Sequence, residues 1–133
     1  MKTPTISEYM TCSPQTIVPE QPLAEAHALM WTHKIRHLPV LHRGKLVGMV
    51  SMDDLHLLET LPDVEPLLVK VEEAMTHKPY VVSPNAPLAE VAREMAERRV
   101  GSVVVQEGGE VVGVFTAGDG LRALADFAER TTN

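Results

Sequence analysis

The chain contains 133 residues, of which 44% are hydrophobic and 23% charged, as in ordinary soluble globular proteins. Its formal net charge of −6 argues against nucleic acid as the main partner, because neutralising phosphates requires a concentrated basic face. The single cysteine, Cys12, cannot form an internal disulfide, and no apolar stretch approaches the about 20 residues of a membrane span. We therefore expect a cytoplasmic protein that neither binds nucleic acid nor inserts into a membrane.

The sequence repeats itself once, at an offset of 65 residues. Met10-Thr11 recurs as Met75-Thr76, and Asp54 recurs as Asp119. Two copies of one short unit usually pack about a pseudo-two-fold axis, and the seam between them is then the natural place for a ligand. We predict repeat 1 over residues 8–60, a linker over residues 61–72 and repeat 2 over residues 73–126.

Repeat 1 is predicted to begin with a short strand at Thr16-Ile17-Val18, where β-prone residues are closed by a proline. A helix then runs from Pro22, whose missing N–H costs nothing in a first helical turn, to the basic pair His33-Lys34. The remaining elements are a hairpin of apolar strands over 38–41 and 46–50 and a second helix over 52–60.

Repeat 2 follows the same order. Its first helix is predicted to open at Pro87, with Asn85 in the capping region, and to end at Arg98-Arg99. The other elements are a strand over 80–82, a hairpin over 102–105 and 111–115, and a helix over 119–130. Both repeats are thus predicted as strand, helix, strand, strand, helix, and the fold class is α/β.

A short motif ends each hairpin. It consists of a glycine, two apolar residues, a serine or threonine and, three residues later, an aspartate; its polar members are Ser51 and Asp54 in repeat 1 and Thr116 and Asp119 in repeat 2. A hydroxyl at a helix N-terminus can bind an anion, and a carboxylate one turn on can hold the vicinal hydroxyls of a ribose. The same spacing is also the ordinary capping box, in which both side chains only satisfy the helix start.

These motifs together resemble the CBS domain, named for cystathionine β-synthase. The resemblance rests on Met-Thr-x-x-Pro, on Pro-Leu-Ala-Glu at a helix start, on Arg36-His37-Leu38-Pro39-Val40 and on the motif that ends each hairpin. Two copies in tandem resemble a CBS pair. The resemblance implies two β-α-β-β-α repeats whose sheets meet face to face, with two clefts that bind adenosyl compounds such as AMP, ADP, ATP or S-adenosylmethionine.

Carried over residue by residue, the resemblance implies two candidate sites. Site A would combine Thr116 and Asp119 with the Met10 to Thr16 segment and with Ile35, Arg36 and His37. Site B would combine Ser51 and Asp54 with the Met75 to Val81 segment and with Val100, Gly101 and Ser102. The aspartates would accept from ribose hydroxyls, Thr116 or Ser51 would donate to phosphate, and Ile35 or Val100 would hold the purine.

The two sites are predicted to differ. Arg36 provides a fork of donors for phosphate, and His37 would add charge below about pH 6.5. Repeat 2 has Gly101 and Ser102 at these positions, where only the helix-end arginines could supply charge. Site A therefore suits a nucleotide and site B a neutral adenosyl ligand or none. Asp53 beside Asp54 would oppose a phosphate at site B unless Mg²⁺ intervened.

The sequence therefore predicts a regulatory module that is not an enzyme. It would have no catalytic residues, no metal site of its own and no covalent cofactor, and it would signal adenosyl binding to a regulated protein, not identified by the sequence, through a conformational shift. A homodimer is expected, with Trp31 at a subunit contact. Gly118 and Gly120, which flank Asp119, would loosen the last helix or admit a close backbone approach. The alternative is a structural dimerisation module whose pockets are non-functional.

Overall fold

The computed structural model describes residues 3–131, and within this range the chain forms seven strands and four α-helices. In chain order these are β1 (Thr11–Cys12), α1 (Leu23–His33), β2 (His37–His42), β3 (Lys45–Ser51), α2 (Met52–Glu59), β4 (Thr76–His77), β5 (Val81–Val82), α3 (Leu88–Arg98), β6 (Ser102–Glu107), β7 (Glu110–Thr116) and α4 (Ala117–Thr131). The predicted α/β class is confirmed. Among the described helices, none is long and apolar enough to cross a membrane.

The chain forms two compact units, and the boundaries of these units differ from those of the two sequence repeats. The first-repeat unit comprises residues 14–79, and the second-repeat unit comprises, within the described range, residues 3–13 and 80–131. Each unit therefore contains the hairpin and helices of one repeat together with the first residues of the other repeat. The boundaries of 8–60, 61–72 and 73–126 stay a prediction.

The first-repeat unit is built on a three-stranded sheet of order β2-β3-β4, in which both pairs are antiparallel. The strand predicted at Thr16-Ile17-Val18 is reduced to one parallel bridge between Ile17 and Val40. Helix α1 packs with α2 on a hydrophobic core made of Ile17, Leu23, Ala26, Met30, Leu38, Val40, Val50, Met52, Leu55 and Val71.

The second-repeat unit is built on a four-stranded sheet of order β1-β7-β6-β5. The hairpin β6–β7 and the pair β1–β7 are antiparallel, whereas β5 runs parallel to β6. Its core consists of Ile6, Leu88, Val91, Met95, Val103, Val105, Phe115 and Ala123. The residue from the N-terminal segment in this core, Ile6, is fully buried.

The repeat extends further upstream than the sequence comparison indicated. Short 3-10 helices at Ile6–Glu8 and Val71–Glu73 occupy equivalent positions, and each begins with a fully buried residue. The Ile6 amide donates to Ala86 O at 3.0 Å, and the Val71 amide donates to Gln21 O at 2.8 Å. These equivalent hydrogen bonds join each 3-10 helix to the loop before the first long helix of its unit.

The two upstream segments also accept hydrogen bonds from backbone amides in the first turns of α1 and α3. The Leu88 amide donates to Pro4 O and the Leu23 amide to Val69 O, both at 2.9 Å, so backbone carbonyls accept from these first helical donors. Asn85 lies two residues before the N-cap residue of α3, Pro87, and no side chain caps this helix start. The predicted basic helix ends are confirmed: Lys34 and Arg99 are left-handed C-cap residues.

Two glycines of the repeated motif are required by close packing. A Cβ atom on Gly113 would lie 2.7 Å from Met10 Sδ and 2.9 Å from Thr11 O, and one on Gly48 would meet Met75 and Thr76 equally closely. Because the obstructing carbonyl oxygens belong to the backbone of β1 and β4, a side chain here would push the added strand away. The glycine thus permits each upstream strand to pair with the hairpin.

Candidate functional site

In both units the motif lies at the junction of a hairpin strand and a helix. Ser51 ends β3 and Thr116 ends β7, and the helix begins at the next residue. Ser51 Oγ accepts from the Asp54 amide at 3.1 Å, while the Ser51 amide donates to Asp54 Oδ2 at 2.9 Å. In repeat 2, Thr116 Oγ1 accepts from the Asp119 amide at 3.3 Å, and the Thr116 amide donates to Asp119 Oδ2 at 2.9 Å. The capping box is therefore present in both repeats.

The two aspartates nevertheless have different surroundings. Asp119 is 1% exposed, and its Oδ1 accepts a hydrogen bond from the Arg122 guanidinium. At the position equivalent to Arg122, repeat 1 has Leu57. The sequence reasoning missed Arg122, although its spacing of three residues from Asp119 places both on one helix face. Repeat 2 thus has a cation beside its motif that repeat 1 lacks.

The first-repeat unit brings together several of the predicted site residues. His37 pairs with Ser51 across the hairpin, and the Met52 amide donates to Arg36 O at 2.8 Å. The Arg36 guanidinium donates to Asp53 Oδ1 at 3.0 Å, and both side chains are largely exposed. Such an exposed ion pair contributes little free energy, so Arg36 can exchange this partner for a phosphate.

The surroundings of His37 disfavour the protonated form of its imidazole. Burial lowers the pKa of His37 below its usual value of about 6.5, and the adjacent Arg36 guanidinium lowers this pKa further. Asp53 and Asp54 act in the opposite direction but more weakly. The prediction that His37 adds positive charge below about pH 6.5 is therefore wrong, because protonation is displaced to more acidic pH.

The second-repeat unit has an equivalent arrangement. Ser102 pairs with Thr116, and the Ala117 amide donates to Gly101 O at 3.0 Å. The Arg98 guanidinium lies 4.3 Å from the Tyr80 ring centroid and donates to Glu94 at 2.7 Å. The Arg98 guanidinium thus has two partners within its own unit, Tyr80 and Glu94.

Two further predicted site residues, Val81 and Thr16, make no side-chain contact with either motif among the described hydrogen bonds and ion pairs. Val81 lies in β5 opposite Val104 and is 39% exposed. Thr16 is exposed and precedes the residue that bridges to β2. Ile35, Arg36 and His37 lie in the same unit as Ser51 and Asp54, and Val81, Val100 and Ser102 lie in the same unit as Thr116 and Asp119. The grouping across repeats implied by the family stays a prediction.

Each unit also has a shallow groove beside these residues. The first-repeat groove has a volume of about 460 Å³ and is lined by His27, Met30, Trp31, Lys34, Ile35, Arg36, Met52 and His56. The second-repeat groove has a volume of about 320 Å³ and is lined by Ala92, Met95, Ala96, Arg99, Val100, Phe115, Ala117 and Gly120. Most lining residues occupy equivalent positions in the two repeats. Among residues 3–131, no group of three or more potential ligands could hold a metal ion.

The glycines that flank Asp119 lie inside α4, which begins at Ala117. An added Cβ atom would lie 3.6 Å from Thr116 Oγ1 at Gly118 and 3.7 Å from Phe115 Cζ at Gly120. Both distances are ordinary contacts. The expectation that these glycines admit a close backbone approach is therefore wrong.

Comparison with known proteins agrees with this architecture. Inosine-5'-monophosphate dehydrogenase of Korarchaeum cryptofilum is 38% identical over 105 residues, which cover 78% of this chain. The chain spans only 21% of the length of that relative.

Two solved structures share the fold at similar length. The CBS domain pair of MJ0100, in complex with 5'-methylthioadenosine and S-adenosyl-L-methionine, is 25% identical with a TM-score of 0.85, covering 94% of this chain and 98% of its own. CBSX2 in complex with AMP is 27% identical with a TM-score of 0.79, covering 93% of this chain and 98% of its own. The CBS domain family matches residues 6–57 and 71–126. The chain therefore belongs to the CBS domain family and carries two CBS domains in tandem.

Proposed function

We propose that the chain is a regulatory module that binds an adenosyl compound between its two CBS repeats and signals its presence to another protein. The observation that carries the proposal is the group formed by Thr116, Asp119 and Arg122, in which a buried carboxylate and a cation lie one helical turn apart. Support comes from the MJ0100 pair, which holds 5'-methylthioadenosine and S-adenosylmethionine, and from CBSX2, which holds AMP.

The chemistry of the group suits a ribose phosphate. An ionised carboxylate has about four acceptor positions, so Asp119 can accept from ribose hydroxyls while it retains its helix-cap bond. The Thr116 hydroxyl, which donates to Asp119 Oδ2 at 3.2 Å in the structure, turns to donate to the ligand instead. Arg122 provides donors for a phosphate. The apolar side chain of Val100 or Ile35 contacts the purine.

The two motifs are proposed to prefer different ligands. The group around Asp119 takes a phosphorylated ligand, AMP, ADP or ATP, with Arg36 contributing from repeat 1. The Ser51–Asp54 motif takes a neutral or cationic adenosyl group such as S-adenosylmethionine, because Asp53 adds a further negative charge beside it. A nucleotide binds at this motif only with Mg²⁺ between its phosphates and the carboxylates.

The proposed mechanism is a population shift. A ligand held by both repeats favours the arrangement that it bridges, and a regulated protein recognises that arrangement. The chain acts as a homodimer in the cytoplasm and has no catalytic activity of its own in this proposal. The absence of a partner for Cys12 within the chain fits a reducing compartment.

The proposal is tested by thermal shift with AMP, ATP, adenosine and S-adenosylmethionine. Asp119→Asn is compared with Asp126→Asn, which removes the same charge from the same helix. We expect AMP and ATP to raise the Tm of the parent and of Asp126→Asn and to leave the Tm of Asp119→Asn unchanged, whereas S-adenosylmethionine should raise the Tm of all three proteins. Equal shifts of all three proteins with AMP or ATP would refute the role of Asp119, and no shift in the parent with any of the four compounds would refute the adenosyl sensor.

A structural dimerisation module is the second candidate. The observation that favours it is that Ser51 and Asp54 satisfy each other as a capping box, as a purely structural motif would. This alternative predicts a stable dimer by native mass spectrometry, no copurified adenosyl compound and no ligand-dependent shift. An adenosyl compound in the native spectrum would exclude it.

A further inference from the structure

The first-repeat groove, of about 460 Å³, has an apolar floor and an exposed aromatic side chain beside it. Met30 and Met52 line the groove and are buried, and Ile35 next to them is half-buried. Trp31, the only tryptophan of the chain, also lines it and is 78% exposed. Thioether sulfurs and an indole both make favourable contacts with flat aromatic rings. The groove is within the size range of small-molecule sites, so it suits a ligand with an aromatic body.

The polar groups around this groove are basic. Lys34, Arg36, His27 and His56 line it, and none of its lining residues is acidic. Asp53, which pairs with Arg36, does not line it. The stretch 26–52 of the sequence contains no aspartate or glutamate, although the chain has a formal net charge of −6. A cleft lined by one sign of charge raises the local concentration of ligands of the opposite sign, so the groove favours an anion.

Three of these basic side chains have donors to offer. Lys34 and His56 are exposed, and within residues 3–131 neither side chain forms a hydrogen bond or an ion pair. His27 Nδ1 lies 2.9 Å from Glu59 Oε1, and Glu59 lines the neighbouring depression of about 570 Å³ and not the groove. This bond leaves Nε2 of His27 for another partner. The ring centroids of His27 and His56 are 6.4 Å apart, so one ligand group can contact both rings.

Repeat 2 lacks most of these groups at the equivalent positions. The counterparts of His27, Trp31, Arg36 and His56 are Ala92, Ala96, Gly101 and Leu121. Only Lys34 has a basic counterpart, Arg99, and both are left-handed C-cap residues of a helix. The second-repeat groove thus combines a smaller volume, about 320 Å³, with a single basic residue and no indole. It provides an internal control for the first-repeat groove.

We propose that the first-repeat groove binds an aromatic organic acid in its anionic form. The anionic group of the ligand accepts from Lys34, His27 and His56, and its flat body lies against the indole of Trp31. Arg36 is not required, since its guanidinium is already paired with a carboxylate. The site uses neither of the two motifs that end the hairpins. The inference therefore goes beyond the proposed function and does not rest on it.

The single tryptophan permits a direct test with 8-anilinonaphthalene-1-sulfonate (ANS), a permanent aromatic anion that accepts excitation energy from an indole. We expect saturable binding of one ANS per chain, with quenching of Trp31 and sensitised emission from ANS. N-phenyl-1-naphthylamine, which lacks the sulfonate, should bind about 10-fold more weakly or worse, because it forms no charge-assisted hydrogen bond. Equal affinity for the two compounds would overturn the inference, since it would show apolar association alone.

Matched variants locate the site. Lys34→Gln and His56→Gln should each raise the dissociation constant of ANS about 10-fold, as for the loss of one charge-assisted hydrogen bond. Arg99→Gln, which removes the equivalent C-cap cation from repeat 2, should leave it unchanged. Equal losses for Lys34→Gln and Arg99→Gln, or no loss for Lys34→Gln and His56→Gln, would overturn the assignment.

Competition identifies the class of ligand. 1-Naphthoate, an aromatic carboxylate, should displace ANS, whereas acetate and 1-naphthalenemethanol, which each lack one half of its chemistry, should not do so at the same concentration. Displacement by AMP would assign the groove to a nucleotide, and loss of ANS binding as the protein self-associates would mean that a second copy covers it. Either result would overturn the inference. Asp119→Asn should bind ANS like the parent, and Lys34→Gln should keep the nucleotide thermal shifts of the parent, so this inference and the adenosyl proposal fail separately.

Discussion

Replacing Ile6 by alanine tests whether the N-terminal segment stabilises repeat 2. Ile6 is fully buried and lies in the core of the second-repeat unit, although it precedes repeat 1 in the chain. Truncation of a buried isoleucine to alanine costs about 2–5 kcal/mol. Since domains of this size are stable by about 5–15 kcal/mol, the loss would be a large fraction of the total.

Two further variants serve as controls. Glu8→Ala lies in the same 3-10 helix but on the exposed side, and it should change the free energy of unfolding by no more than about 0.5 kcal/mol. Val71→Ala removes the equivalent buried residue from the first-repeat unit. Its smaller side chain should make the loss about 1.5–3 kcal/mol.

Urea unfolding followed by circular dichroism gives the free energies, and amide hydrogen exchange shows which strands lose protection. Ile6→Ala should increase exchange in β6, and Val71→Ala should increase it in β2, because each residue packs on the core that includes that strand. An Ile6→Ala variant that loses less than about 1 kcal/mol, or that exposes β2 while β6 stays protected, would refute the conclusion that the N-terminal segment stabilises repeat 2.

Further predictions concern single positions. Gly113→Ala should destabilise the protein by about 1–3 kcal/mol in urea unfolding, because the added methyl group displaces β1; an unchanged midpoint would contradict the close contact. Gly118→Ala should instead raise stability by about 0.5–1 kcal/mol, since this helical position has room for a methyl group; a lower Tm would contradict this. The lowered pKa of His37 means that the unfolded chain takes up its proton first, so this residue's contribution to stability is complete above about pH 6.5 and is lost as the pH falls through its folded pKa. His37→Gln should reduce this acid-side loss in unfolding measurements between pH 7 and pH 4, and an identical pH profile would contradict the lowered pKa of the half-buried imidazole.

Local patterns in the sequence were sufficient for the hairpins and helices of both repeats. Apolar runs around glycine turns, proline at the first helical turns and basic helix ends are short-range signals, and they predicted these elements to within a few residues. The motif that ends each hairpin was equally visible, because a hydroxyl and an aspartate three residues apart meet within one helical turn. The sequence could not decide whether this motif caps the helix or binds a ligand, because the same hydroxyl and carboxylate groups serve both roles.

The tertiary structure decided what depends on distant partners. Two-residue strands at Thr11 and Thr76 have no periodicity of their own, and only the close approach to Gly113 and Gly48 shows which hairpin each one joins. The low pKa of His37 required the burial of its imidazole, which sequence spacing does not reveal. The sequence by itself determined two similar repeats with two similar motifs. The fold determined which upstream segment completes each repeat and that Asp119 is buried, because strand pairing and burial arise from contacts between residues far apart in the chain.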